Sequence, residues 1–167
     1  TALSKFLGHL SYFKENYYKM IYNNPITFQR LKHIGIISTQ EAIDYNLVGP
    51  NLRASGVSYD LRRSKPYSIY KELKFDVPIG EKGDALNRLQ VRIREIDQSI
   101  FILHQCLEKI PQGPISKNTP ETIQPDKGEI YIKTENSRGE LGIYLVSDGS
   151  TKPYRLKFRT GSFASLA

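Results

Sequence analysis

Cysteine is almost missing from this sequence: Cys106 is the single one in 167 residues. One thiol cannot form an internal disulfide. Nor can it supply the sulfur ligands of a cysteine-based zinc or iron–sulfur site, so both are excluded for a site built from this chain alone. The scarcity fits a reducing compartment such as cytosol, stroma or matrix. Long apolar runs are missing too. None approaches the roughly 18–20 residues needed to cross a bilayer, and the longest near the centre is Ile100–Leu103. No transmembrane segment is therefore expected. The opening TALSKFLGHLSYFKENYYK is amphipathic and lacks the continuous apolar stretch of a signal peptide. Thr1 is not a start methionine, so a processed chain, or a part of something longer, is expected.

Reactive constellations are also scarce. There is no Walker A run and no GxGxxG. Gly35, Gly49 and Gly56 are too scattered to cradle a phosphate. His9, His33 and His104 lie far apart with no carboxylate at ligand spacing, which favours surface or packing roles over metal binding. Cys106 sits beside an apolar helix face and reads as a packed thiol, not a nucleophile. Glu95 and Asp97 point to different faces of that helix, so they do not form an acid/base pair.

What is present is enough for one domain with a core. Hydrophobic residues make up 39%, with 11 Tyr and 7 Phe, and the net charge is +7. The positive balance favours an anionic partner or, more plainly, a solvated basic surface. Leu3, Phe6, Leu7, Leu10, Phe13, Tyr17, Met20 and Ile21 recur at helical spacing, and Asn23-Asn24-Pro25 ends that helix. Ser38-Thr39-Gln40-Glu41 is a capping-box pattern that opens a short helix to about Tyr45, with Asn46 suited to a left-handed cap. Leu86, Leu89, Ile93, Ile96, Ile100, Leu103, Leu107 and Ile110 form an unbroken seam on a long helix, from the N-cap Asp84 to the stop at Pro111. At roughly 1.5–3 kcal/mol per side chain, burying that seam would contribute more than 10 kcal/mol gross.

The organisation expected is α+β. Residues 1–111 are a helical part with the long helix at about 84–110. Residues 112–127 are an irregular proline-rich connection, 128–160 a three-stranded antiparallel meander, and 161–167 the start of a further element. In the meander one face should be buried and the other polar. Tyr154 and Phe158 are then expected in the core, opposite Arg155, Lys157 and Arg159. That separation of aromatics from cations weakens an RNA-binding face, which needs both on the exposed side.

The stretch VGPNLRASGVSYDLRR, residues 48–63, looks like a site but holds no histidine, cysteine or glutamate. Its two glycines and one proline argue against a regular element. Three uses are open: binding an anion through Arg53, Arg62 and Arg63; forming a structural corner in which Asp60 pairs with an arginine; or gripping a neighbouring subunit.

Three longer stretches carry a resemblance. GPNLRASGVSYDLRR, then DVPIGEKGDALNRLQVRIREIDQSIFILHQCLEKIPQGP, then RGELGIYLVSDGSTKPYRLKFRTGSFASLA resemble successive motifs of the 49-kDa subunit of respiratory complex I, which has bacterial, mitochondrial and plastid forms. FQRLKHIGIISTQEAIDYNLVGP resembles the segment leading into the first of them. The likeness runs from about Phe6 to Ala167. The short connection after IPQGP and the VSDG turn resemble the mitochondrial form more than the plastid one. Ala85 and Asn87, where the family usually shows a bulky residue and an acid, depart from the pattern, as do Leu89 and Thr160-Gly161-Ser162.

The resemblance implies a hydrogenase-large-subunit-like fold, here in part only. It implies a middle piece of a subunit more than twice as long, with the quinone-site histidine and tyrosine upstream and the end of the quinone chamber downstream. This piece would be a fragment of the quinone module of a proton-pumping NADH:quinone oxidoreductase, not catalytic alone. NADH, FMN, iron–sulfur clusters and quinone would be held by other chains, and no cofactor or metal by this one. Its partners would be other complex I subunits, including chains that supply the missing ends, and no nucleic acid. Its place would be the matrix side of the mitochondrial inner membrane or, in a bacterium, the cytoplasmic side of the cell membrane. Arg53 is the expected charge-bearing support residue, with Asp60 its partner or that of Arg62. The alternative is a basic RNA- or ribosome-associated module.

Overall fold

The computed structural model describes residues 2–166 except 115, 117 and 119, and side chains from residue 5 to residue 165. Six helices come first: α1 (Ala2–Tyr17), α2 (Pro25–Leu31), α3 (Thr39–Asp44), α4 (Pro50–Ala54), α5 (Leu61–Ser64) and α6 (Ala85–Lys109). Three strands follow: β1 (Gly128–Asn136), β2 (Gly139–Ser147) and β3 (Arg155–Arg159). The α+β class stands. Along 112–127 the described residues form no regular element, and residues 115, 117 and 119 lie outside the described set. Phe163–Leu166 forms a single 3-10 turn, and Ala167 lies outside the described set.

Local chemistry sets the boundaries. Asn23-Asn24-Pro25 ends one helix and starts another. After α1 the chain widens into a π-helical turn at Tyr18–Tyr22. Asn24 then caps α2 by accepting from the N–H of Ile26 at 2.9 Å, with Pro25 in the first turn, where no N–H partner is lost. Ser38 and Glu41 form the expected reciprocal box on α3, and Asn46 takes φ 55 just after it. Asp84 caps α6 by accepting from the N–H of Asn87 at 2.8 Å and also accepts from the N–H of His33 at 2.9 Å.

The 48–63 stretch corrects one expectation. It is not irregular but carries α4 and α5, started by Gly49 at φ 63 and by the side chain of Asp60. Glycine and proline here punctuate short helices rather than prevent them.

The seam on α6 is a second correction. Of its eight residues, Leu86 and Ile93 are buried, while Ile110 is exposed. Val91 and Ile102, which lie off the seam, are buried instead. Ile102 packs with Leu73 and Phe75 in one small core, and Ala42, Leu47 and Leu52 form another. The α1 stripe behaves alike: Leu7 is buried, Phe6, Phe13 and Met20 are exposed, and the side chain of Leu3 lies outside the described set.

The sheet order is β1-β2-β3, antiparallel throughout, with register rows Ile130–Leu145–Leu156 and Ile132–Ile143–Phe158. The meander is as expected, but its apolar face is not covered. Ile132 is 53% and Phe158 60% exposed, and Tyr154 is exposed rather than core. Alternation makes the face apolar, and no element of the described chain lies over it to bury it.

Candidate functional site

The largest fully buried side chain is a charged one, Arg53, 2% exposed. It projects from α4 into the contact between α4 and α6. Nε and Nη2 each lie 2.7 Å from Oε1 of Glu95 on α6. Nη1 donates to the carbonyl of Tyr59 at 2.9 Å and to Oε1 of Glu135 on β1 at 3.1 Å, and stands 3.7 Å from Oδ2 of Asp60. One guanidinium thus ties a helix, a loop and a strand distant in sequence. Its planar fork of five N–H donors suits it to that task.

Asp60 belongs chiefly to Arg62. Its Oδ1 accepts from the backbone N–H and Nε of Arg62 at 2.9 and 3.0 Å, and its Oδ2 from Nη2 at 2.7 Å. Burial alone would push the carboxyl up, but the bonds and charge of Arg62, with the charge of Arg53, hold it below the ordinary carboxylate range. Arg62 in turn lies over the rings of Phe75 and Tyr70, at 4.9 and 5.7 Å, which joins the ion pair to the Leu73–Phe75–Ile102 core. Arg63 donates to the carbonyl of Phe75 and faces the same ring. Of the three sequence-expected residues, Arg53, Asp60 and Arg62, all converge here.

Glu95 and Glu135 share an opposite fate. Burial pushes both carboxyls up, the charge of Asp60 adds to that, and Arg53 draws them part of the way back. Glu140 faces Glu135 directly across the β1–β2 pair. Like charges in that position repel, and separate cations resolve the conflict. Glu135 goes to Arg53. Glu140 accepts from Lys133 at 2.8 Å, Arg159 at 3.4 Å and the Tyr59 hydroxyl at 3.0 Å. Burial and the bond to Glu140 raise Tyr59 above the ordinary phenol range.

Backbone contact sets the distance between the two layers. Gly139, at φ 108 in the hairpin turn, meets Gly49, at φ 63, with no side chain between them. A Cβ on Gly139 would come 2.7 Å from the nitrogen of Gly49. This corner carries the hairpin to Arg53. A second joint lies beside it, where Gly80 and Gly83 donate to the carbonyls of Arg53 and Ala54 at 2.9 and 3.0 Å. There Asn87 accepts from the N–H groups of Glu81 and Lys82 at 3.1 and 2.7 Å. An amide oxygen serves there as an acidic side chain would, so the Asn87 departure costs the loop no acceptor.

No group of three or more ligating side chains that could hold a metal occurs among the described residues. Cys106 packs half-buried against the Leu73–Phe75–Ile102 core, and its lone thiol does not fit an iron–sulfur cluster. No helix among the described residues is long and apolar enough to cross a membrane. Arg53, Asp60 and Glu140 are buried and each is engaged with charged neighbours, so the geometry around Arg53 is that of a charged keystone.

A family model, described as the 49 Kd subunit of the respiratory-chain NADH dehydrogenase, matches residues 1–127 and 117–167. The chain belongs to the 49-kDa subunit family. The expected membership is thereby established. The chain is 46% identical over 162 residues to the D-type subunit of the NADH-quinone oxidoreductase of Desulforamulus reducens, covering 97% of this chain and 44% of that protein. It is 40% identical over 189 residues to the corresponding NADH-quinone oxidoreductase subunit of Thermus thermophilus, covering 98% and 46% respectively. Its fold matches a chain of the archaeal membrane-bound sulfane sulfur reductase, a respiratory membrane complex, with a TM-score of 0.88, 36% identity and coverage of 98% of this chain and 45% of that one. The chain therefore spans less than half the length of these relatives. Sequence reasoning singled out Arg53, Asp60 and Arg62 but missed Glu95, Glu135, Glu140 and Tyr59. The signal was available for one pair: a tight turn at Ser137-Arg138 sets Glu135 opposite Glu140, a juxtaposition that asks for buried cations.

Proposed function

We propose that this chain forms the middle of the quinone-module subunit of a proton-pumping NADH:quinone oxidoreductase, working beside polypeptides that supply the other parts of the same subunit. Its role is to scaffold the place where electrons pass from iron–sulfur clusters to quinone, while NADH, FMN, the clusters and quinone are held by neighbouring chains. The observation that carries this reading is the Arg53 centre, a family corner in which one buried guanidinium joins α4 to α6, to the Tyr59 carbonyl and to β1. The uncovered faces of α1, α6 and the sheet support a chain completed by others. The complex would lie on the matrix face of the mitochondrial inner membrane or, in a bacterium, on the cytoplasmic face of the cell membrane.

Native electrophoresis of solubilised membranes, with NADH-dehydrogenase staining and mass spectrometry of the active band, tests this. The expected result is the intact chain in a very large active band together with chains matching the rest of the family's length. A chain that runs alone, or with ribosomes, overturns the proposal.

A further inference from the structure

β3 stands at the end of the sheet order β1-β2-β3, so one of its edges has no strand beside it. In such a strand alternate residues turn their N–H and C=O groups away from the ladder. Among the described residues, Arg155–Arg159 make no backbone-to-backbone hydrogen bond except to β2. The other outer strand differs. There the Tyr67 hydroxyl accepts from the N–H of Glu135, and α5 packs against the strand.

Both faces of β3 are open as well. Leu156 and Phe158 are 43% and 60% exposed on one face. Arg155 and Lys157 are exposed on the other. Neither meets a carboxylate among the described residues, whereas Arg159, the next cation on that face, is turned to Glu140. A strand free along one edge and on both faces presents a pattern that a partner strand can match: cation, apolar, cation, apolar.

The alternation says which strand fits. Charged side chains guard an edge against self-pairing. A second copy of β3 would set Arg155 and Lys157 against the same cations, which repel, whereas acidic residues across the pair would attract them. On the other face, Leu156 and Phe158 end the register rows Ile130–Leu145 and Ile132–Ile143, so an incoming strand would extend that apolar layer. A layer open across three strands is half of a core, and the relatives carry more than half of their length outside the part that this chain matches.

We propose that the free edge of β3 receives a strand from the polypeptide that completes this subunit, with acidic residues opposite Arg155 and Lys157 and apolar residues opposite Leu156 and Phe158. This joint rests on the proposed function and adds where the two polypeptides meet and by what chemistry.

The large complex purified from membranes tests this. Site-resolved hydrogen exchange should find every amide of Arg155–Arg159 slow, because an added strand takes the outward ones. Alternating fast and slow amides would overturn the proposal. Carbodiimide, which joins an amine to a carboxylate with no spacer, should couple Lys157 to an aspartate or glutamate of a chain matching the rest of the family's length. Coupling to a different subunit, or no coupling to another chain, overturns it. Both measurements use the wild-type chain, so they decide even if a variant fails to fold. Arg155→Glu with Lys157→Glu should be lost from the complex, while Arg155→Lys with Lys157→Arg should remain in it. Equal incorporation of the two variants, or loss of both, overturns the joint and leaves the proposed function standing. A wild-type chain absent from the complex overturns both.

Discussion

Arg53 and Glu95, 42 residues apart, meet where Nε and Nη2 of the arginine each lie 2.7 Å from one oxygen of the glutamate, inside a centre almost sealed from water. Removing the arginine strands two buried carboxylates. Arg53→Ala should cost about 3–5 kcal/mol, read as a lowered denaturation midpoint. Arg53→Lys should recover only part, because a point charge cannot reach Glu95, Glu135 and the Tyr59 carbonyl at once. Both variants should be depleted from the large active band. Normal assembly and turnover of Arg53→Ala would remove the support role.

Stability should peak in mildly acid solution. Asp60 titrates below its ordinary 3.8 in the folded chain, so its contribution is complete above 3.8 and is lost as pH falls through the depressed value. Glu95 and Glu135 titrate above their ordinary 4.5. For them the folded chain binds more protons than the unfolded chain, so stability falls as pH rises from 4.5 through the raised values. Denaturant midpoints across pH check the shape. Glu135→Gln should flatten the alkaline limb and Asp60→Asn the acid one.

Gly139→Ala should weaken the hairpin's attachment. A side chain at φ 108 costs about 1–3 kcal/mol by strain. The added carbon also enters the backbone of Gly49. Hydrogen exchange should show β1 and β2 less protected while α3 keeps its protection. Unchanged exchange in the hairpin would mean that the joint yields.

The isolated chain should bind a hydrophobic dye and associate. Ile132→Lys with Phe158→Lys, in one register row of the open sheet face, should lower dye binding and raise solubility. The same variant should vanish from the large complex if other chains cover that face. A monodisperse wild-type monomer with no dye binding would contradict this.

Local signals in the sequence were reliable where the chemistry is local. The Ser38–Glu41 box, the Asp84 cap, the left-handed Asn46 and the strand alternation all reappear in the fold. The same local rules misread 48–63, because Gly49 and Pro50 start a helix as readily as they end one. Burial was less legible. The eight-residue seam names a face that wants covering, but coverage depends on neighbours, and this chain turns Val91 and Ile102 inward instead. Glu95 was hidden for a related reason: its partner comes from a helix 42 residues away, a distance that no local pattern encodes.

The contact of Gly49 with Gly139 works as a spacer of no thickness. Side chains in a stack have rotamers, and each rotamer is a source of play. Two backbone segments in direct contact have none, so the gap between corner and hairpin is set by their van der Waals contact. The charged centre behind it inherits that tolerance. A methyl group's width at either glycine would be felt as misalignment at Arg53, whose backbone N–H bonds the Gly49 carbonyl at 3.0 Å.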